Sequence, residues 1–421
     1  MSLENCENGS EVMDGGSVVK DLEELLKETM GDQLQVIGYA VKDLLPKGEN
    51  YASLMLKIDA DIKRTPDAAV EKIHLVGKTI TKAEFQKSHM NATMSFSREI
   101  FIFKELLPMY RQLELEAGIP EKDAVYVGPK FYGGRLTRNK GAPDEADEDA
   151  ILLLENIKVQ SYDTQNRMKG LDLEHAKLAI HRLAHYHALG IAMRQEKADF
   201  YNGAQKYLTS IPFNMTKEEY DAYLENIVQT ICEDPRIAKH EERIKACLQA
   251  SEGWEGFFNF ETVEPWVTIC HGDFWVNNMM FKHDGGKATD VKFVDFQLTR
   301  VSSPLKDIPY FTCSSTSSEV LINHLDELLD TYYRSLIESI DRLGCDSSPF
   351  TRDSFEKELK RTASKDFLFC VLALKFFTLE VSKDQREDIN VDEVIKSGGA
   401  SNLYLDRTWY IVSKFIERGW M

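Results

Sequence analysis

The 421-residue sequence contains no uninterrupted apolar run long enough to span a bilayer, so nothing in it reads as a transmembrane helix. Its first residues, Met1-Ser2-Leu3-Glu4-Asn5-Cys6-Glu7, lack both the basic and the apolar region of a secretory signal. The Asn-x-Ser/Thr matches at Asn8, Asn91 and Asn214 therefore read as chance. The 7 cysteines are scattered and never spaced as Cys-x-x-Cys, which argues against a disulfide framework or a zinc site and for reduced thiols. The expectation is a cytoplasmic protein. Positive charge is also scarce: 51 Lys and Arg against 69 Asp and Glu give a net charge of −18. A broad nucleic-acid surface is excluded on that ground, although a small basic pocket is not. There is no internal repeat and no low-complexity block. What is present is an ordinary globular mix, 43% hydrophobic and 29% charged, in a chain long enough for two lobes that each bury a core.

Residues 1–17 are polar and rich in Gly and Ser and read as a disordered tail. Val18 to Met30 carries apolar residues at helical spacing and ends at Gly31. Strand-like text follows at Gln35–Val41, in the alternation of Ala52, Leu54, Leu56 and Ile58, and at Ile73–Ile80. Phe96, Ile100, Phe103 and Leu107 form the stripe of a helix. Ile151–Leu154 reads as a buried strand and Leu173–Ala192 as a long helix. The region 198–260 is helix-rich, with aromatics at Tyr201, Tyr207, Phe213, Tyr220, Tyr223, Phe257, Phe258 and Phe260. Trp266–Cys270 reads as a strand. Met279–Phe281 and Val291–Phe296 make a hairpin across Asp284-Gly285-Gly286, and the chain from Glu319 on is mostly helical. This order predicts an α+β fold of two lobes, a small β-rich one over 18–157 and a larger, mostly helical one over 158–421.

The chemistry concentrates in His271-Gly272-Asp273-Phe274-Trp275-Val276-Asn277-Asn278 and in Val294-Asp295-Phe296-Gln297. An acid, an amide five residues on, and a second acid after a hairpin match the needs of phosphoryl transfer from ATP. One carboxylate meets the acceptor hydroxyl, and an amide and a carboxylate hold Mg²⁺ against the phosphates. Asp273 is the candidate catalytic residue; Asn278 and Asp295 are the candidate metal ligands. Taken singly, each also reads as a loop-capping side chain. Lys78 ends a predicted strand, and Glu99 points from the apolar face of its helix, where a carboxylate is costly unless it meets a cation. The two therefore form a candidate phosphate-aiming pair. The alternative is a Glu99 that reaches water at the edge of the stripe. In the turn Gly48-Glu49-Asn50-Tyr51-Ala52-Ser53, Asn50 and Ser53 are candidate donors to a nucleotide, although the segment also reads as a plain hairpin turn. His181 and His185 are spaced as zinc ligands can be, but no His-Glu-x-x-His accompanies them, and His187 reads as a core residue.

The wording of the loop, Trp275-Val276-Asn277-Asn278 with Asp295-Phe296-Gln297, resembles the insect ecdysteroid kinase-like family. That family is a branch of the choline-kinase-like and aminoglycoside-phosphotransferase-like small-molecule kinases. Further matches run from about Leu34 onward, among them Glu49–Ser53, Phe96–Glu99, Leu154-Glu155-Asn156, His187-Ala188 and Ser303–Asp307. The resemblance implies a protein-kinase-like bilobal fold and ATP- and Mg²⁺-dependent phosphorylation of a small-molecule alcohol. An ecdysteroid hydroxyl is among the candidate acceptors. A choline- or xenobiotic-type kinase and a catalytically silent nucleotide- or ligand-binding pseudokinase are the alternatives. It further implies Asp273 as base, Asn278 and Asp295 as metal ligands, Lys78 and Glu99 as the phosphate-binding pair, and Asp307 as a brace for the catalytic loop. Glu155 and Ile157 would belong to a hinge that meets the adenine. The chain departs from the family's pattern at Gly77, where a β-branched residue is usual, in lacking the usual proline soon after Lys78, and at Pro309 after Asp307.

Overall fold

The structure is a computed structural model that describes residues 19–44, 53–80, 92–209, 216–249, 261–378 and 400–421. The N-terminal tail, Asn50 with its turn, Asn8, Asn91, Asn214, Cys6, Phe213, Phe257, Phe258 and Phe260 lie outside the described residues. The chain divides into two compact units, one of Met1–Lys104 with Pro129–Gln160 and the other of Glu105–Gly128 with Ser161–Met421. Small and β-rich, then large and helical, they make the α+β architecture that the order of elements leads one to expect.

The first unit is a five-stranded antiparallel sheet in the order β1-β2-β3-β5-β4. The strands are β1 (Gln35–Asp43), β2 (Ser53–Lys63), β3 (Glu71–Ile80), β4 (Phe131–Arg135) and β5 (Ile151–Glu155). Helix α1 (Leu22–Met30) covers one face of it. Alternation along β2 sends Leu56, Ile58, Ala60 and Ile62 into a core shared with Leu22, Leu25 and Leu26 of α1, while Leu54 is left exposed. Each fully buried Leu or Ile contributes about 1.5–3 kcal/mol, so this face of β2 is what holds α1 down. Strand β4 escapes a sequence reading because Phe131-Tyr132-Gly133-Gly134-Arg135 has two glycines and no apolar alternation.

The predicted helix at Phe96–Leu107 is longer and interrupted. It comprises α2 (Ala92–Phe101), a π-helical Ile102–Leu106 and α3 (Leu107–Glu116). Pro108 explains the interruption: it has no N–H to give to the preceding turn, and the widened turn before it absorbs the missing bond.

The second unit is built on the 24-residue α4 (Leu173–Glu196), capped by Asp172 accepting the His175 N–H. Shorter helices α5 (Ala198–Ala204), α6 (Lys217–Ile231), α7 (Pro235–Ala238) and α8 (Glu241–Gln249) follow. The C-terminal part holds α9 (Asp307–Ser315), α10 (Ser318–Asn323), α11 (Leu325–Arg342), α12 (Arg352–Phe377) and α13 (Asn402–Glu417). Helix α4 packs along α11 on one side and against two small sheets on the other. One sheet pairs β7 (Thr268–Cys270) with β10 (Arg300–Ser302). The second is β6 (Tyr162–Asp163), β8 (Met279–Asp284) and β9 (Lys287–Phe293). Gly285 and Gly286, at φ +55° and +84°, supply the backbone that a two-residue hairpin turn between β8 and β9 demands. Both chemistry-bearing loops leave these sheets: residues 271–278 join β7 to β8, and residues 294–299 join β9 to β10.

Candidate active site

In the first unit, Lys78 on β3 and Glu99 on α2 meet directly, with Nζ 2.7 Å from Oε2. Both side chains are almost wholly buried, at 5% and 2% exposure, so neither reaches water and the ion pair is the arrangement found. Gly77 does not prevent it. A Cβ there would lie 3.0 Å from Ile58 Cδ1, so the glycine makes room for the core side chain on β2, while Lys78 stands on the opposite face of β3. Glu155 closes β5, and its carboxylate accepts from Gln160 Nε2 at 2.5 Å. Ile157 is buried and opens the short 3₁₀ turn Ile157–Gln160. Ser53 is the first residue of β2.

In the second unit, the loop after β7 is held from behind by Asp307, the first residue of α9. Its two carboxylate oxygens accept the N–H groups of His271 at 2.8 Å and Gly272 at 3.1 Å. His187 Nε2 lies 3.2 Å from the same carboxylate, and its Nδ1 lies 2.7 Å from the Tyr332 hydroxyl on α11. Burial works to raise the Asp307 carboxyl, but the His187 hydrogen bond, with the positive charge of Arg300 nearby, holds it below its ordinary value. Gly272 has φ +81°, and a Cβ there would stand 2.2 Å from the Leu298 carbonyl oxygen, so no other residue fits. Pro309 sits in the first turn of α9, where its missing N–H breaks no helical bond. His271 is fully buried among Phe274, Phe293 and Phe296. Burial lowers its pKa, so the ring is neutral: Nε2–H donates to the Val294 carbonyl at 3.1 Å, and Nδ1 accepts the Asp273 N–H at 3.4 Å. That ring ties the end of β9 to the loop.

The loop delivers Asp273 half-buried and gripped on both oxygens. Tyr310 of α9 donates its hydroxyl to Oδ1 at 2.7 Å, and Asn278 Nδ2 donates to Oδ2 at 2.9 Å and to the Asp273 carbonyl at 2.9 Å. Burial and the charge of Asp295 push the Asp273 carboxyl up to about 6 against the pull of those hydrogen bonds. The Asn278 nitrogen is committed to Asp273, which leaves its amide oxygen as a neutral acceptor. Val294 N–H donates to the Asn278 carbonyl at 3.0 Å, which sets the second acidic segment beside the loop. Strand β9 ends at Phe293, so Asp295 lies beyond the strand rather than within it. It adopts φ +63°, a conformation that costs a non-glycine residue about 1 kcal/mol and that Asp tolerates better than most. One amide oxygen beside one carboxylate is a hard-oxygen set of the kind Mg²⁺ takes when phosphates and water complete its shell, so these residues fit that ion.

Next to Asp273 stand two stacked aromatic pairs. Trp275 lies on Phe377 with centroids 3.8 Å apart, and Tyr310 lies on Phe369 at 4.5 Å. Tyr310, Phe369 and Phe377 went unread as site residues because they follow the loop by many residues, on helices whose apolar text looks like plain core. His181 and His185 do not converge on a common point. His181 lies 2.8 Å from Ser335 Oγ, and His185 lies 3.0 Å from the buried Glu114 carboxylate and 3.3 Å from Ser339 Oγ. Among the described residues, His187, Cys270 and Asp307 cluster within 4.8 Å. Each of the three is already engaged, Cys270 with the Ser303 carbonyl at 3.2 Å.

The profile of the ecdysteroid kinase-like family matches residues 47–345, which include every one of the predicted site residues. The chain belongs to the ecdysteroid kinase-like family. Among solved structures, similar ones include ethanolamine kinase from Plasmodium vivax (11% identity, 95% of this chain and 86% of that one, TM-score 0.40). Choline kinase from Cryptosporidium parvum Iowa II (11% identity, 96% and 95%, TM-score 0.42) is another. A third is the GDP complex of an aminoglycoside 2′-phosphotransferase-IIIa variant (11% identity, 94% and 96%, TM-score 0.39). Comparison with curated proteins gives no match. Among the described residues, no helix of this family member is long and apolar enough to cross a membrane.

Proposed function

We propose that the protein is an ATP:alcohol phosphotransferase acting on a small molecule, with Asp273 as the base that receives the acceptor's proton. The observation that carries the reading is the braced loop. It presents a half-buried carboxylate, Asp273, beside an amide oxygen of Asn278 that takes no hydrogen bond from the described residues and beside the carboxylate of Asp295. In the reaction, the acceptor hydroxyl oxygen bonds to the γ-phosphorus, the bond to the β–γ bridging oxygen breaks, ADP leaves, and the hydroxyl proton passes to Asp273. Asn278 and Asp295 would hold Mg²⁺, which when bound offsets the negative charge of the phosphates. Lys78, held by Glu99, presents an ammonium for phosphate oxygens. Glu155 and Ile157 would offer backbone groups to the adenine, with Ser53 and Asn50 as candidate donors to the nucleotide. Such a site works mainly by positioning and fixed charge.

The acceptor we infer is an apolar, ring-bearing alcohol of the ecdysteroid kind. Family membership supports this, and so does the wall of Trp275, Tyr310, Phe369 and Phe377, grouped as one apolar cluster beside Asp273. The test is incubation with Mg-ATP and an alcohol panel that includes steroids, choline and ethanolamine, read by mass spectrometry for new phosphate esters, with Asp273→Asn as control. Esters formed equally by that variant would remove Asp273 as base. Magnesium-dependent nucleotide binding without product across the panel would favour a pseudokinase.

A further inference from the structure

Asp273 is held by two donors on separate oxygens, and only one of them belongs to its own loop. Tyr310 reaches it from α9, 37 residues later in sequence. The same helix opens with Asp307, so one turn of α9 carries both the brace for the loop backbone and the donor for the loop's carboxylate. Tyr310 is 3% exposed and lies flat against Phe369 of α12, with ring planes 19° apart. A phenol has one proton to give, and burial together with the Asp273 charge keeps this hydroxyl protonated, so its donation to Oδ1 is standing. A carboxylate anchored through Asn278 alone would still rotate about its Cβ–Cγ bond. A second donor on the other oxygen fixes its plane and leaves a lone pair on each oxygen with a constant direction. Proton acceptance in transfer reactions is sensitive to misplacements of this size. The support on the far side, Phe369, lies beyond the residues 47–345 matched by the family profile.

Resting on the phosphotransfer reading, we propose that Tyr310 is a positioning residue: its hydroxyl sets the orientation of the Asp273 carboxylate, and α12 sets Tyr310 through the Phe369 stack.

Tyr310→Phe keeps the ring and its stack and removes only the hydroxyl. With an acceptor identified by the ester screen, kcat should fall roughly 10- to 100-fold while KM for ATP stays put. In protein carrying ¹³Cγ-labelled aspartate, without nucleotide and at one pH, the resonance that Asp273→Asn deletes should move in Tyr310→Phe. A kcat within twofold of wild type, or an Asp273 resonance that stays in place, overturns the proposal. A loss of kcat matched by an equal rise in KM for ATP, the mark of general loosening, overturns it too. A wild type that phosphorylates no acceptor overturns the phosphotransfer reading and this proposal with it, whereas an active wild type with an unaffected Tyr310→Phe overturns this proposal alone.

Discussion

The two units each bury charge, and they do so in opposite ways. In the first, Lys78 and Glu99 sit 2.7 Å apart and cancel. In the second, burial and, after it, the charge of Asp295 work against an ionised Asp273, which is why its carboxyl holds a proton up to about 6. A cancelled pair keeps its shape with nothing bound. Two like charges brought together do not hold each other in place, so their geometry must be enforced by neighbours: Asp307 and His187 behind the loop, Tyr310 and Asn278 on the carboxylate. The contrast teaches that one site is held by its own charges and the other by its scaffold.

That contrast can be broken by substitution, and the largest effect should come from Asp273→Asn. Turnover should drop about 10³-fold or more, with nucleotide binding retained in equilibrium titration. Retained turnover would end the claim that the crowded acid is the working one. Asp307→Ala comes next, because it leaves the buried N–H groups of His271 and Gly272 without acceptors. Chemical denaturation should show a loss of about 3–5 kcal/mol, and a loss below 1 kcal/mol would show that the scaffold does not hold the loop.

The cancelled pair gives a sharper comparison. Glu99→Ala strips Lys78 of the carboxylate beside it and should cost about 3 kcal/mol. Lys78→Met with Glu99→Leu, which removes both charges, should restore most of that stability while leaving turnover low. Equal destabilisation by the single and the double change would mean that cancellation is not what holds the first site.

Acidity offers a smaller and opposite pair of effects. A base must be ionised, so turnover should climb as pH rises through about 6 and level off above it. Stability should run the other way. A carboxyl whose pKa is raised on folding adds stability below its unfolded value of about 4 and loses it as pH rises through about 6. Asp273→Asn cannot ionise, so between pH 4 and 7 it should gain on wild type by roughly 1–2 kcal/mol in thermal melts. A constant difference across that range would show that folding does not raise the Asp273 carboxyl. The smallest expected change is Phe369→Leu, which trades the aromatic stack under Tyr310 for an aliphatic contact. Turnover in the same ester assay should fall about two- to fivefold, since such a stack is worth about 0.5–1 kcal/mol; no change would limit the scaffold to α9.

Much of this was legible in the text of the chain. The alternation in β2, the glycine hairpin after Asp284 and the Asp-x-x-x-x-Asn spacing are local, and local patterns follow from backbone geometry of two or three residues at a time. The pairing of Lys78 with Glu99 could be inferred because a carboxylate on an apolar stripe demands a cation. Strands β4 and β10 could not, because a three-residue strand or one with two glycines carries no period.

The sequence by itself therefore determined where the candidate groups sit: Asp273, Asn278 and Asp295 around a hairpin, with Lys78 on a strand. The tertiary structure alone decided how they are held. Tyr310 finds Asp273 across 37 residues, Asp307 finds the loop N–H groups across 35 and 36, and His187 finds Asp307 across 120. Contacts at such separations are set by how helices pack on sheets, and a single hydroxyl or imidazole among ordinary core residues leaves no periodic mark in the sequence to announce its partner.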